Sequence, residues 1–239
     1  MNCAHVAKLL SEKLRLKRTP IGLTFLSEPP AGVVRYPATV PTACAFWKAA
    51  ETSLFYATAE DHYNCPIGAI TQGFDPPSRV MQQGMALIEQ MGKIRYFDPA
   101  EVQHVPTVKK PHRVIVYGPL KDFQSITPDL ALIVCSPFQA MLISEAVGTV
   151  EWRGAGKEAH LFGRPACAVI PSALQEEAAS ASVGCMGART FAGIEEDELL
   201  IAVPLSRLAD AEQRLAAILS ANAEMRDFYA GHKARFTAV

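Results

Sequence analysis

The sequence predicts an α/β or α+β protein with a mixed sheet flanked by helices, and three observations lead there. Short β-rich or wholly apolar runs alternate with amphipathic segments along the whole chain, an order that suits helices packed on a sheet. Gly and Pro clusters punctuate the runs. With 239 residues, 49% of them hydrophobic and 20% charged, the chain can bury a large core. One domain over 1–239 is expected, with the alternative of two related halves, about 1–105 and 106–239.

In chain order, Val6, Leu9, Leu10, Leu14 and Leu16 mark one face of a helix that Pro20 closes. Ile21 to Leu26 is a strand and Pro29-Pro30-Ala31-Gly32 a turn. Thr42 is placed to cap a helix carrying Cys44, Phe46 and Trp47. Leu54 to Thr58 is a strand, and Asp61 to Asn64 a polar loop ending in Cys65-Pro66. Pro66 suits the first turn of a helix, which puts Cys65 at a helix N-terminus where a thiolate is favoured. A helix over Val80 to Lys93 carries Met81, Met85 and Met91, read as core filler. Pro99, Pro106, Pro111 and Pro119 mark either a linker or a loop over a site.

Arg113 to Tyr117 is a strand, and the apolar run Leu130 to Val134 a fully buried one. Ser136 and Pro137 then start a helix over Phe138 to Ala146. Gly148 to Arg153 is a strand, and Gly154-Ala155-Gly156-Lys157 a turn. That turn fails as a phosphate loop, because Glu151 and Glu158 stand where Gly and Ser or Thr are needed. Ala166 to Ile170 is a strand, Ser172 to Ala179 a helix and Ser180 to Gly187 a loop. After the acidic turn Glu195 to Glu198 come a strand over Leu199 to Val203, a helix over Ser206 to Leu219, and a further helix with Met225, Phe228 and Tyr229.

Composition narrows the function. A formal net charge of −1 lacks the basic excess of a nucleic-acid surface. No apolar run reaches the roughly 18 residues of a membrane span. The N-terminal segment lacks the features of a secretion signal. A cytoplasmic protein is expected, in which six cysteines are free, metal-bound or redox-active rather than paired.

A cysteine phrase occurs twice. Thr42-Ala43-Cys44-Ala45 leads to Cys65-Pro66-Ile67-Gly68-Ala69, and Pro165-Ala166-Cys167-Ala168 leads to Cys185-Met186-Gly187-Ala188. The cysteines are 21 and 18 residues apart. If the phrase is duplicated, Cys44, Cys65, Cys167 and Cys185 would bring four thiols to one place, a donor set for an iron–sulfur cluster or another metal. Cys135, at a strand end, is the alternative fourth ligand, and His62 offers a mixed site. Neither Cys-x-x-Cys nor Cys-x-x-Cys-His occurs, which excludes a zinc ribbon, a ferredoxin run and covalent haem. Non-covalent haem stays open. So does a thiol enzyme pairing Cys65 with His62, or a cysteine with His160. A cofactor-free small-molecule-binding protein, its pocket lined by Cys135, Phe138 and Arg189, is the remaining functional alternative. Arg189 would there hold a carboxylate or phosphate. Against all of these, free cysteines are often simply small buried hydrophobes. A small molecule or a redox partner is the expected partner.

The chain resembles the uncharacterised family called domain of unknown function 169. The residues that carry the resemblance are Pro20 to Leu26, Cys44 to Phe74, Pro128-Asp129-Leu130, Pro137-Phe138-Gln139-Ala140-Met141, Gly184 to Arg189 and Asp197-Glu198. It implies a particular place for Cys44, Cys65 and Cys185, extends less strongly to Cys167 and Cys135, and brings no activity with it.

Overall fold

The computed structural model describes residues 2–148 and 161–237. Helix α1 (Cys3–Leu14) is capped by Asn2, whose side chain accepts the His5 N–H at 3.2 Å. Strand β1 (Ile21–Leu26) follows, then α2 (Ala45–Ala49) and β2 (Phe55–Thr58). Three helices come next: α3 (Ala59–His62), α4 (Pro66–Thr71) and α5 (Ser78–Lys93). A 3-10 turn over Pro99–His104 leads to β3 (Val114–Pro119), β4 (Leu130–Cys135) and α6 (Pro137–Ala146). As expected, Ser136 caps α6, in a reciprocal box with Gln139 at 3.3 and 2.8 Å. The chain continues as β5 (Leu161–Phe162), a 3-10 turn over Ala166–Ala168, α7 (Val169–Glu176) and β6 (Ser180–Ser182). It ends with α8 (Met186–Ala192), β7 (Leu199–Pro204) and α9 (Leu205–Thr237).

Four expectations change. The apolar run Ala166 to Ile170 is helical rather than a strand, and a short apolar run without periodicity fits either state. The expected loop after it contains β6 and the start of α8. The polar loop at Asp61 is a helical turn with a Thr58–Asp61 capping box. The two C-terminal helices are one. The strand expected at Gly148 to Arg153, the turn Gly154 to Lys157 and His160 lie in 149–160, outside the described residues, apart from Gly148.

The fold is α+β. Among the described residues the strands form one sheet in the order β2-β3-β1-β4-β7-β6-β5, antiparallel throughout except for the parallel β5–β6 pair. β3 lies between β1 and β2, so strands from either side of residue 105 interleave.

Side chains alternate across the sheet with the period of two that strands impose. On β4, Leu130, Leu132 and Val134 face one core, with α2, α7 and α8. Ala131, Ile133 and Cys135 face the other, with α1, α6 and α9. Among the described residues no helix is long and apolar enough to cross a membrane.

Asp129, just before β4, ties the sheet centre together. Its carboxylate accepts the Phe25 N–H at 2.8 Å, the Thr24 hydroxyl at 3.0 Å and Lys110 Nζ at 2.7 Å. Asp129→Ala would leave a strand N–H and a buried hydroxyl without their acceptor. We expect a loss of about 1–3 kcal/mol, read in urea melts as a lower midpoint at unchanged slope. An unchanged midpoint would assign the carboxylate no share in holding the strands.

Candidate functional site

Four cysteines reach the first of these faces, each from the start of a helical segment. Cys44 precedes α2 as its N-cap, with the Thr42 hydroxyl 3.0 Å from its sulfur. Cys65 is the N-cap of α4, with Pro66 at the first helical position. Cys167 sits in the 3-10 turn before α7. Cys185 is the N-cap of α8. Arg18 fixes α2 against α8: its guanidinium pairs with Glu51, just after α2, and donates to Ala192 O at 2.7 Å and Gly193 O at 3.0 Å, at the end of α8.

All four thiols line one cavity of about 530 Å³. Burial raises the Cys44 thiol to about 12, with the Cys65 and Cys185 charges adding and Thr42 opposing. Burial raises Cys65 too, with the backbone at Ala43 and Gly68 opposing. Cys167 stands well above the usual thiol range, first from burial and then from the charges of Cys65, Cys185 and Cys44. Three thiols therefore stay protonated at neutral pH unless positive charge enters the cavity. No Asp, Glu or His among the described residues lines it. Trp47, 2% exposed, also lines it, and its indole N–H has no partner among the described residues. A buried donor of this kind is uncommon.

Among the described residues, no three or more His, Cys, Asp or Glu side chains are gathered to hold one metal ion. A mononuclear tetrahedral centre needs its donors on a single point.

The other expected donors stand elsewhere. Cys135 lies on the opposite face, in the core of α1, α6 and α9, where burial and then Glu198 push its thiol up to about 12. The parity of β4 separates it from the other four. His62 is fully buried with both ring nitrogens engaged, Nδ1 with Thr58 O at 2.6 Å and Nε2 with the Tyr117 hydroxyl at 2.9 Å. Burial lowers its pKa to about 4. With no free nitrogen it serves neither a mixed metal site nor a Cys65–imidazole pair. Arg189 donates to Glu195 O and Val183 O, each at 2.6 Å, so it clamps its own loop rather than holding an anion. Cys135, Phe138 and Arg189 do not form a pocket: Cys135 is buried on the α6 side, Phe138 is exposed on α6, and α8, which carries Arg189, packs on the other face.

The α5 methionines are not core filler as a group: Met81 and Met85 are exposed, and Met91 lines the cavity. The Pro-punctuated middle is a loop over the site, contributing Phe97, Val102, Val105 and Thr107 to the wall. Trp47, Tyr96, Lys109 and Arg164 complete the lining and carry no sequence motif. Tyr96 joins three segments: its hydroxyl accepts the Met186 N–H at 2.8 Å, its carbonyl accepts from Arg164, and the Arg164 guanidinium lies 3.8 Å over its ring.

Comparison with known proteins gives a family. A family model described as "Uncharacterised ArCR", domain of unknown function 169, matches residues 9–214, a span containing all four cavity cysteines. The uncharacterized protein MJ0308 of Methanocaldococcus jannaschii is 27% identical over 165 residues, covering 67% of this chain and 69% of that relative. No solved structure matches.

Proposed function

The chain belongs to the uncharacterised ArCR family, domain of unknown function 169, and on that premise we propose that it binds an iron–sulfur cluster through Cys44, Cys65, Cys167 and Cys185. One observation carries the reading: four thiols from two distant stretches of chain line one cavity. A set of soft sulfur donors with no carboxylate or imidazole among them suits iron–sulfur chemistry. A polynuclear core takes its thiolates on separate irons, so the donors need not meet on one point, which fits a quartet not gathered for a single ion.

The surrounding residues suit the group. Trp47, whose buried N–H has no partner among the described residues, lines the same cavity. When bound, such a cluster supplies one-electron transfer or activates a small molecule. The protein's own part is to hold four sulfurs and leave open space beside them. Haem is supported less well, since no histidine among the described residues lines the cavity and only a cysteine could serve as its axial ligand.

The test is anaerobic purification followed by absorption spectroscopy and analysis of iron and acid-labile sulfide. We expect a broad visible thiolate-to-iron band in the wild type, its loss in Cys65→Ser and in Cys167→Ser, and its retention in Cys135→Ser. A sharp Soret band would replace the cluster by haem. Full iron in both cavity variants, or failure to rebuild a cluster from iron and sulfide, would refute the assignment.

A further inference from the structure

The cavity is larger and more varied than four ligands require. Its volume, about 530 Å³, lies within the roughly 300–1,000 Å³ of small-molecule pockets. Besides the thiols, α5 and the loop after it contribute an apolar wall that includes Leu87, Met91, Phe97 and Val102. Two cationic side chains, Lys109 and Arg164, line it as well, both exposed and therefore at its solvent edge. With no acidic side chain among the described lining residues, these cations are not neutralised within the cavity.

Arg164 is held in place by Tyr96, yet a guanidinium has five N–H donors and Tyr96 takes few of them. Lys109 makes no hydrogen bond or ion pair among the described residues. An apolar wall beside two cations, with no opposing charge, is complementary to an amphipathic anion.

We propose that the cavity binds a small organic acid, its carboxylate or phosphate head at Lys109 and Arg164 and its apolar body along the α5 wall, reaching toward the thiols. Placing that molecule beside a cluster rests on the proposed function. Its binding does not, because the cations and the apolar wall are part of the chain whether or not iron is present.

Calorimetry on cluster-free, thiol-reduced protein tests this with octanoate, octyl phosphate, octan-1-ol and octylammonium as probes. We expect at least one acid to bind one to one, and the tighter of the two identifies the head group. The alcohol and the ammonium should bind at least about tenfold more weakly, and added salt should weaken the acid. Lys109→Gln should lower acid affinity several-fold without touching the fold, since Lys109 holds nothing else among the described residues, and Lys109→Gln with Arg164→Gln should lower it by about tenfold or more. Cys135→Ser, on the opposite face of the sheet, should bind the acid as the parent does. Equal affinity for acid and alcohol, no acid binding, or an unchanged affinity in Lys109→Gln would overturn the proposal. Iron analysis decides the cluster separately, so either reading can fail while the other stands.

Discussion

Gly68→Ala is expected to empty the cysteine site. A Cβ at Gly68 would stand 2.7 Å from the Ala43 Cβ and 2.9 Å from the Cys65 sulfur, closer than side chains approach. Neither neighbour can yield without consequence. Ala43 is buried and belongs to the turn that presents Cys44, and the Cys65 sulfur is itself a proposed ligand. Moving the Cys65 sulfur away from the added methyl would displace that ligand within the cavity it lines. The strain costs about 1–3 kcal/mol, as overpacking of a close-fitting core does. The larger effect is on the site: iron and sulfide per chain should fall close to those of Cys65→Ser. Gly231→Ala is the control, because an added Cβ there meets nothing within 4 Å on an exposed part of α9. That change should stabilise by up to about 1 kcal/mol and leave iron content unchanged. A Gly68→Ala protein with full iron and the parent melting temperature would show that this glycine does not hold Cys65 in place.

The first cysteine phrase was legible in the sequence because local rules act on it. Pro66 fits the first turn of α4 and leaves Cys65 as its N-cap, whereas Cys185, expected within a loop of small residues, stands before α8 without a local signal for that helix. The Ser136-Pro137 start of α6 followed from the same rules, and the apolar run of β4 from its composition. The choice between Cys135 and Cys167 was not legible. Strand parity places Cys135 with Ala131 and Ile133 and opposite Leu132, but which face carries the cavity depends on where α2, α4 and α8 pack, and spacing does not encode that. Cys167 was misread along with its segment, since an all-apolar run has no period to separate strand from buried helix. Trp47, Tyr96, Lys109 and Arg164 meet only because distant segments converge, so they left no local signal.

Stability of the reduced, cluster-free protein is expected to fall on both sides of neutrality, for reasons that separate the two faces of the sheet. On the acid side, burial lowers His62 from 6.5 to about 4. Unfolded chain binds a proton below 6.5 that the folded chain refuses until about 4, so stability is lost as pH falls through that window, by about 3 kcal/mol in all. On the alkaline side, Cys44 and Cys135 each rise from 9.0 to about 12. Unfolded thiols ionise above 9.0 while the folded ones keep their protons, so stability drops as pH rises from 9.0 toward about 12. Each thiol contributes a slope of about 1.4 kcal/mol per pH unit, and Cys167, also raised by burial, steepens the same limb. Urea melts across pH measure both limbs, and Cys44→Ala and Cys135→Ala should each flatten the alkaline one by about one thiol's share. Iron loading distinguishes the two. A ligated thiolate has already lost its proton, so reconstitution should remove the contribution of Cys44 and Cys167 and leave that of Cys135. If reconstituted protein keeps the full alkaline slope, the cavity thiols are not the ligands. If the slope vanishes altogether, Cys135 is being drawn into the site and the separation of the two faces does not hold.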